Sequence, residues 1–461
     1  MDDARDRMLR FVGRARDVIL ANAARGIDQV KTPLYRNAFF IMLTSVIGQG
    51  LGFFFWIVLS NRYQKVDIGA AIALFATLSF LAALGLLGQG TGLVRYLPEA
   101  EDKGALVNTA LTVTALLSLG LSVVFLVVGI PLLLPELSFV LRDPLYVLTI
   151  IVCTVTLGVA PILDQASIAV RRADLQTWRN TIFAVLKIPF AFVIASVLSG
   201  RAGVFLSLTL AWSVSVLVAG FALLPQALPR YVPRPQLRIQ ALRPMLRFSL
   251  GNYVAAVIGA GATSLPLPLI YVVLGSNAGP TNAAYFYVAS IVAGLLYIIP
   301  GAVFTSFYAE ASHSDTDRRD AERKATLLSV GLLLPAIGVM LVLSETMLRL
   351  FGGGDPSYTQ EAITPLRILT FASIPVFLNS ILGTRVRIRK RTLPLIVAAA
   401  ITSVITLGLG YVLLQNPDYG IDGLAYATVL GQAVATPYLY YVARESFEAI
   451  PTEPILAPPL E

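Results

Sequence analysis

Apolar runs separated by short polar breaks fill the chain from Phe39 onward. Twelve of them are long enough, or nearly so, to cross a bilayer, for which ~20 residues suffice. They are Phe39–Leu59, Ile68–Gly88, Leu106–Leu134, Leu145–Ala169, Thr181–Leu198, Gly203–Leu224, Phe248–Leu274, Ala283–Phe304, Ala325–Leu343, Ile363–Leu382, Leu393–Leu414 and Ile421–Val442. Runs of this length predict membrane-spanning helices. Ahead of them, Met8, Phe11, Val12, Ala15, Val18, Ile19 and Ala23 recur at helical spacing with arginines largely between them. This predicts an amphipathic helix within residues 1–35. Its arginines suit the anionic lipids of a cytoplasmic leaflet and its apolar stripe the acyl boundary. Docking on the protein's own loops is the other reading.

The longest polar interruption, LPRYVPRPQLRIQALRPML at Leu228–Leu246, has six runs before it and six after. Its prolines and arginines break the membrane pattern. The expected organisation is a bundle at 36–227, a linker at 228–246, a second bundle at 247–444 and a tail at 445–461. Landmarks repeat across the halves: Tyr96 and Tyr308 follow a second run, Arg171 and Arg387 lie in a basic turn after a fourth, and Gly203 and Gly423 open a sixth. An even number of spans gives both halves one orientation, related by an axis along the membrane normal. Transporters are often built this way, with the substrate between the halves. The predicted fold is therefore all-α, a polytopic membrane protein of twelve transmembrane helices in two six-helix bundles. Prolines inside the runs, among them Pro161, Pro189, Pro266, Pro300 and Pro375, can each kink a helix.

Composition agrees. With 56% hydrophobic and 13% charged residues and a mean hydropathy of +0.75, the apolar surface exceeds what a soluble core can hide. The net charge of +8 would suggest nucleic acid, but its distribution argues otherwise. Of 35 Lys and Arg, 28 fall on the side that holds both termini, six on the other, and Lys187 alone lies deep within a run. Positive charge collects on the cytoplasmic side. Both termini are expected there, in a cell membrane, and nucleic-acid binding is not expected. The first twenty residues lack the apolar core of a cleavable signal.

The candidate chemistry is sparse. No GxxxxGK[ST] loop offers an ATP site. The lone His313 and lone Cys153 can build neither a triad nor a metal site, so no enzyme, cofactor or metal is expected. What remains is a few polar groups in apolar runs, where a charge costs at least ~2.5–3.5 kcal/mol and faces a cavity or a partner. Asp164 and Lys187 are the clearest. Either they line a cavity, Lys187 meeting an anionic substrate or Asp164 exchanging a coupling proton, or they tie the fourth helix to the fifth. At the 216-residue offset their counterparts are Ser380 and Ser403, so both charges are absent together from the second half. That favours a direct contact between Asp164 and Lys187. Arg95 either meets a phosphate at the inner mouth or snorkels. Gln49, Asn252, Asn379 and Gln432 are uncharged candidates whose simplest role is interhelical hydrogen bonding.

MLRFSLGNY opening the seventh run, NAAYFYVASIVAGLLYIIPGAVFTSFYAEAS in the eighth, basic turns after the fourth and tenth, and YGIDGLAYATVLGQ at the twelfth together resemble the oligosaccharide and polysaccharide flippases. These belong to the superfamily that also holds the multidrug and toxin extruders. The resemblance runs from Arg36 to Arg444. It implies two bundles in a V that alternate access and move a polyprenyl-linked glycan outward, with a coupling cation as the expected driver. By that reading Lys187 and Arg95 meet the lipid phosphate, Asp164 sets the charge of Lys187, and Gln49 and Asn252 line the path. The rival expectations are a cation-coupled efflux transporter, which needs a free acid in its cavity, and a non-transporting scaffold for glycan assembly.

Overall fold

The computed structural model describes residues 48, 51, 52, 54–198, 200–228, 231–313, 318–389 and 391–444. The expected N-terminal helix, Gln49 and the tail lie outside the described residues. After a helical stretch at 54–62, α1, come α2 (Lys65–Gly85), α3 (Gln89–Tyr96), α4 (Lys103–Leu133), α5 (Pro144–Ala169), α6 (Ala173–Val197) and α7 (Arg201–Ala227). A linker without regular secondary structure at 231–238 leads to α8 (Ile239–Ser264), α9 (Pro266–His313), α10 (Arg318–Phe351), α11 (Pro356–Ile388), α12 (Leu393–Leu414) and α13 (Gly420–Arg444).

The fold is all-α, and no strand occurs among the described residues. Nine helices there are long and apolar enough to cross a membrane. Two more polar ones, α8 with 26 residues and α13 with 25, have the length. Aspartates begin several of them: Asp102, Asp143 and Asp355 accept from the backbone N–H of Ala105, Leu145 and Ser357, capping α4, α5 and α11. Large apolar side chains stay exposed along these helices, such as Val127, Leu132 and Val342. That is the surface hydrocarbon would cover.

Two breaks set the topology. The second apolar run stops at Gly85, because Leu87 and Gly88 adopt left-handed angles of φ 46° and 74° and turn the chain into α3. A Cβ on Gly88 would lie 2.9 Å from Tyr253 Cβ, so both the angle and the close approach call for glycine. The 48-residue α9 is two arms, because Gly275 has φ 70° and ψ −178°. The Cβ position of Gly279 falls 2.9 Å from Tyr271 Cα, where eight residues of unbroken helix would place them about 12 Å apart. The chain doubles back there, which keeps the seventh and eighth spans separate. Within the first half α4 packs on α5 and α6 on α7; in the second, α11 packs on α9 and α13. The main contact across the halves is α2 against α9.

Candidate functional site

Deep polar groups are placed by two antiparallel hairpins. In the first half the chain turns at Val170–Arg172, with Arg171 at φ 62°. Asp164 and Arg179 lie about equally far from that turn on α5 and α6. Arg179 donates from Nε to Asp164 Oδ1 and from Nη2 to Oδ2, both at 2.7 Å. The Arg179 guanidinium also donates to Asn180 Oδ1 at 2.8 Å and stacks 4.9 Å from the Trp212 ring on α7. Only 7% of Asp164 and 3% of Arg179 is exposed. The fork-to-carboxylate geometry pairs the two charges, as a buried pair requires, and leaves Arg179 Nη1 without a hydrogen-bond partner among the described residues.

This corrects the expected contact between Asp164 and Lys187. Depth has to be measured from the turn itself, and eight further residues carry Lys187 about 12 Å beyond Arg179. Lys187 is half-buried and lies 3.5 Å from the Cβ position of Gly52. Its ammonium sits 5.2 Å and 5.3 Å from the Phe55 and Phe183 ring centroids. No carboxylate reaches it among the described residues. Aromatic faces are its only polar compensation there.

Ser403, the counterpart of Lys187, donates to the carbonyl of Ile258 on α8 at 2.5 Å and lies 3.9 Å from the Cβ position of Gly261. One half thus sets a lysine against a glycine of the first span, and the other a serine against a glycine of the seventh. Asn379 and Gln432 behave as expected: Asn379 Nδ2 donates to Gln432 Oε1 at 3.0 Å and accepts from Thr436 Oγ1 at 2.9 Å, joining α11 to α13. Asn252 is half-buried on α8. Arg95 is exposed at the end of α3, 5.8 Å from the Tyr96 ring. The structure does not bring Arg95, Asn252 and Lys187 onto one another's contacts.

Sequence patterns missed a second feature, at the end of the molecule far from the linker. Lys65 opens α2 and pairs with Asp355 Oδ2 at 2.8 Å across the two halves. Lys65 also donates to Ser357 Oγ at 2.5 Å. Asp355 is already aimed by its cap, accepting from Ser357 N at 2.9 Å. Burial pushes the Asp355 carboxyl up, but the hydrogen bonds from Lys65 and Ser357 outweigh it and hold it below the usual carboxylate range. A cavity of about 290 Å³ beside the pair is lined by residues of both halves, including Tyr63, Gln64, Thr281 and Tyr358. Trp56 packs on Tyr287 at 5.1 Å nearby. At Gly69 a Cβ would come within 1.7 Å of the Pro280 carbonyl oxygen, so only glycine fits. The halves are closed on one another at this end.

No family model and no curated protein sequence matches the chain. Solved structures do. Lipid II flippase MurJ in an inward closed conformation superposes with a TM-score of 0.67 at 15% identity, over 88% of this chain and 87% of that one. A multidrug resistance MATE family transporter of the MOP superfamily superposes in its inward-facing form with 0.60 at 14% identity, over 86% and 94% of the two chains. The corresponding outward-facing transporter gives 0.59 at 14% identity, over 90% and 95%. The chain has the fold of MOP-superfamily transporters and is a multi-pass membrane protein.

Proposed function

We propose that this protein moves a lipid-linked oligosaccharide or polysaccharide precursor from the cytoplasmic to the outer leaflet by alternating access. The bundles at 36–227 and 247–444 are the moving units. The observation that carries this reading is the unequal fate of the two deep charges. Asp164 is neutralised by Arg179, whereas Lys187 has no carboxylate among the described residues and so is the deep group able to meet an anion. A lipid-linked glycan presents phosphate; a cationic drug would want the free acid that Arg179 has occupied. The fold shared with a flippase named for lipid II agrees with that choice.

In this reading Lys187 contacts the lipid phosphate, Arg95 supplies a second cation at the inner mouth, and Gln49 and Asn252 line the route. Asp164 holds Arg179 and the α5–α6 hairpin in place. Opening of the Lys65–Asp355 end releases the glycan outward, and a coupling cation biases the cycle. The test is flipping of a fluorescent polyprenyl-pyrophosphate oligosaccharide in reconstituted vesicles. Lys187→Ala is expected to slow it about 10- to 100-fold, the range of ~1.5–3 kcal/mol for a bond to a charged group, and Lys187→Arg to retain most of it. Undiminished flipping by folded Lys187→Ala, or export of cationic dyes instead, sinks the assignment.

A further inference from the structure

The linker carries chemistry that transport does not use. Residues 231–238 carry no regular secondary structure and are held against α4 by three of its side chains. Asn108 Nδ2 donates to the Val232 carbonyl at 2.9 Å, and Asn108 Oδ1 accepts from Arg234 N at 3.4 Å. Thr112 Oγ1 accepts from Gln236 N at 3.0 Å, and Thr109 Oγ1 from Arg238 N at 3.3 Å. These three residues stand between five and nine positions into a membrane-spanning helix that starts at Lys103, which is about 8–14 Å along its axis. The polar part of a leaflet is only about 5–8 Å thick. The linker therefore dips to the boundary between headgroups and acyl chains, where irregular backbone persists only if its polar groups are satisfied. Asn108, Thr109 and Thr112 satisfy four of its backbone groups: the Val232 carbonyl and the N–H groups of Arg234, Gln236 and Arg238.

Its outward side is amphipathic. Val232, Leu237 and Ile239 are 64%, 56% and 65% exposed, which a water-facing connector would not favour. Between and beside them stand Arg234, Arg238 and Arg243, all exposed. Arg238 is held by Asp102 at 3.2 Å, while no ion pair engages Arg234 or Arg243 among the described residues. Apolar side chains that reach acyl chains, set among arginines at headgroup level, complement an anionic lipid surface.

We propose that residues 232–243 form an interfacial strap that binds anionic phospholipid headgroups in the leaflet at the linker end. It tethers the start of the second half to that leaflet. The proposal stands independently of what the protein transports.

The test uses the full chain in nanodiscs of phosphatidylcholine with phosphatidylglycerol. A bimane label on Leu237→Cys is expected to be quenched by lipids brominated near the glycerol end of the acyl chain and shielded from aqueous iodide. Cys153 is fully buried, and the unlabelled parent serves as control. In native mass spectrometry the protein is expected to retain phosphatidylglycerol over phosphatidylcholine. Arg234→Gln with Arg243→Gln should cut that preference about fivefold per arginine, from ~1 kcal/mol each, and the paired Lys substitutions should preserve it. An unchanged preference in the Gln variant overturns the proposal. So does iodide quenching without bromolipid quenching, or bromolipid quenching that appears only when residues 1–35 are deleted, which would assign the surface to that segment.

Discussion

Removing one member of the Asp164–Arg179 pair leaves the other charge buried without compensation, at a cost of ~3–5 kcal/mol. Asp164→Ala is expected to lower the thermal unfolding midpoint in detergent sharply. Adding Arg179→Leu should recover most of the loss, because two apolar side chains can replace a buried ion pair at little cost. Adding Lys187→Ala instead should recover none, which separates the observed pairing from the one expected along the chain. The error is instructive. That two charges had to be explained was legible, since both sit in apolar runs. Their partners were not, because counting from Arg179 hid the fact that Arg179 itself is the residue opposite Asp164. Trp212 was beyond reach for another reason: its contact with Arg179 crosses to α7, and no periodicity links positions 33 residues apart. Asn379 and Gln432 were legible as interhelical hydrogen-bonding residues, because a polar amide in a membrane helix has few other ways to be satisfied.

Among helices, the apolar runs located the spans but not their internal irregularities. Two π-helical turns, Phe125–Gly129 in α4 and Ala219–Leu223 in α7, each stand two residues before a proline, Pro131 and Pro225. Proline offers no N–H to the carbonyl four residues back and crowds it; a widened turn relieves that crowding without ending the helix. Pro161, Pro189 and Pro375 instead stay inside continuous α-helix, so proline marked candidate bends without saying how each resolves. The third π-turn, Ile405–Leu409 in α12, has no proline behind it. It begins at the 216-residue counterpart of Pro189, where α6 stays α-helical. Between helices the tightest place is Gly69 against Pro280, where an added Cβ would lie 1.7 Å from a backbone oxygen. A backbone atom cannot rotate away. Gly69→Ala is therefore expected to force α2 and α9 apart. Spin labels placed on the two halves at the Lys65 end should report a longer distance than in the parent; an unchanged distance would show that α9 shifts freely and that the contact does not set closure.

For the whole molecule, the proposed alternating-access cycle requires the Lys65 end to open, and it asks what holds that end together and whether protons release it. The Lys65–Asp355 pair is about one-third exposed on each side, so its contribution is on the order of 0.2–1 kcal/mol, up to about fivefold in the closed population. Asp355→Asn isolates that term, because asparagine caps a helix as well as aspartate does while removing the charge. It should shift the two-state distance distribution toward the open form by no more than that factor, without lowering helix content. The pH response follows from the depressed carboxyl. A carboxylate whose folded pKa lies below its unfolded value contributes its full stabilisation above the unfolded pKa and loses it as pH falls through the folded one. Since Asp355 is held below the usual carboxylate range, the latch should be intact from pH 8 to pH 5 and weaken only under stronger acid. Equal closed populations at pH 8 and pH 5 would place any proton coupling elsewhere in the molecule. A midpoint inside that interval, persisting in Asp355→Asn, would identify another titrating group as the one that opens this end; a midpoint abolished by Asp355→Asn would overturn the direction of the shift.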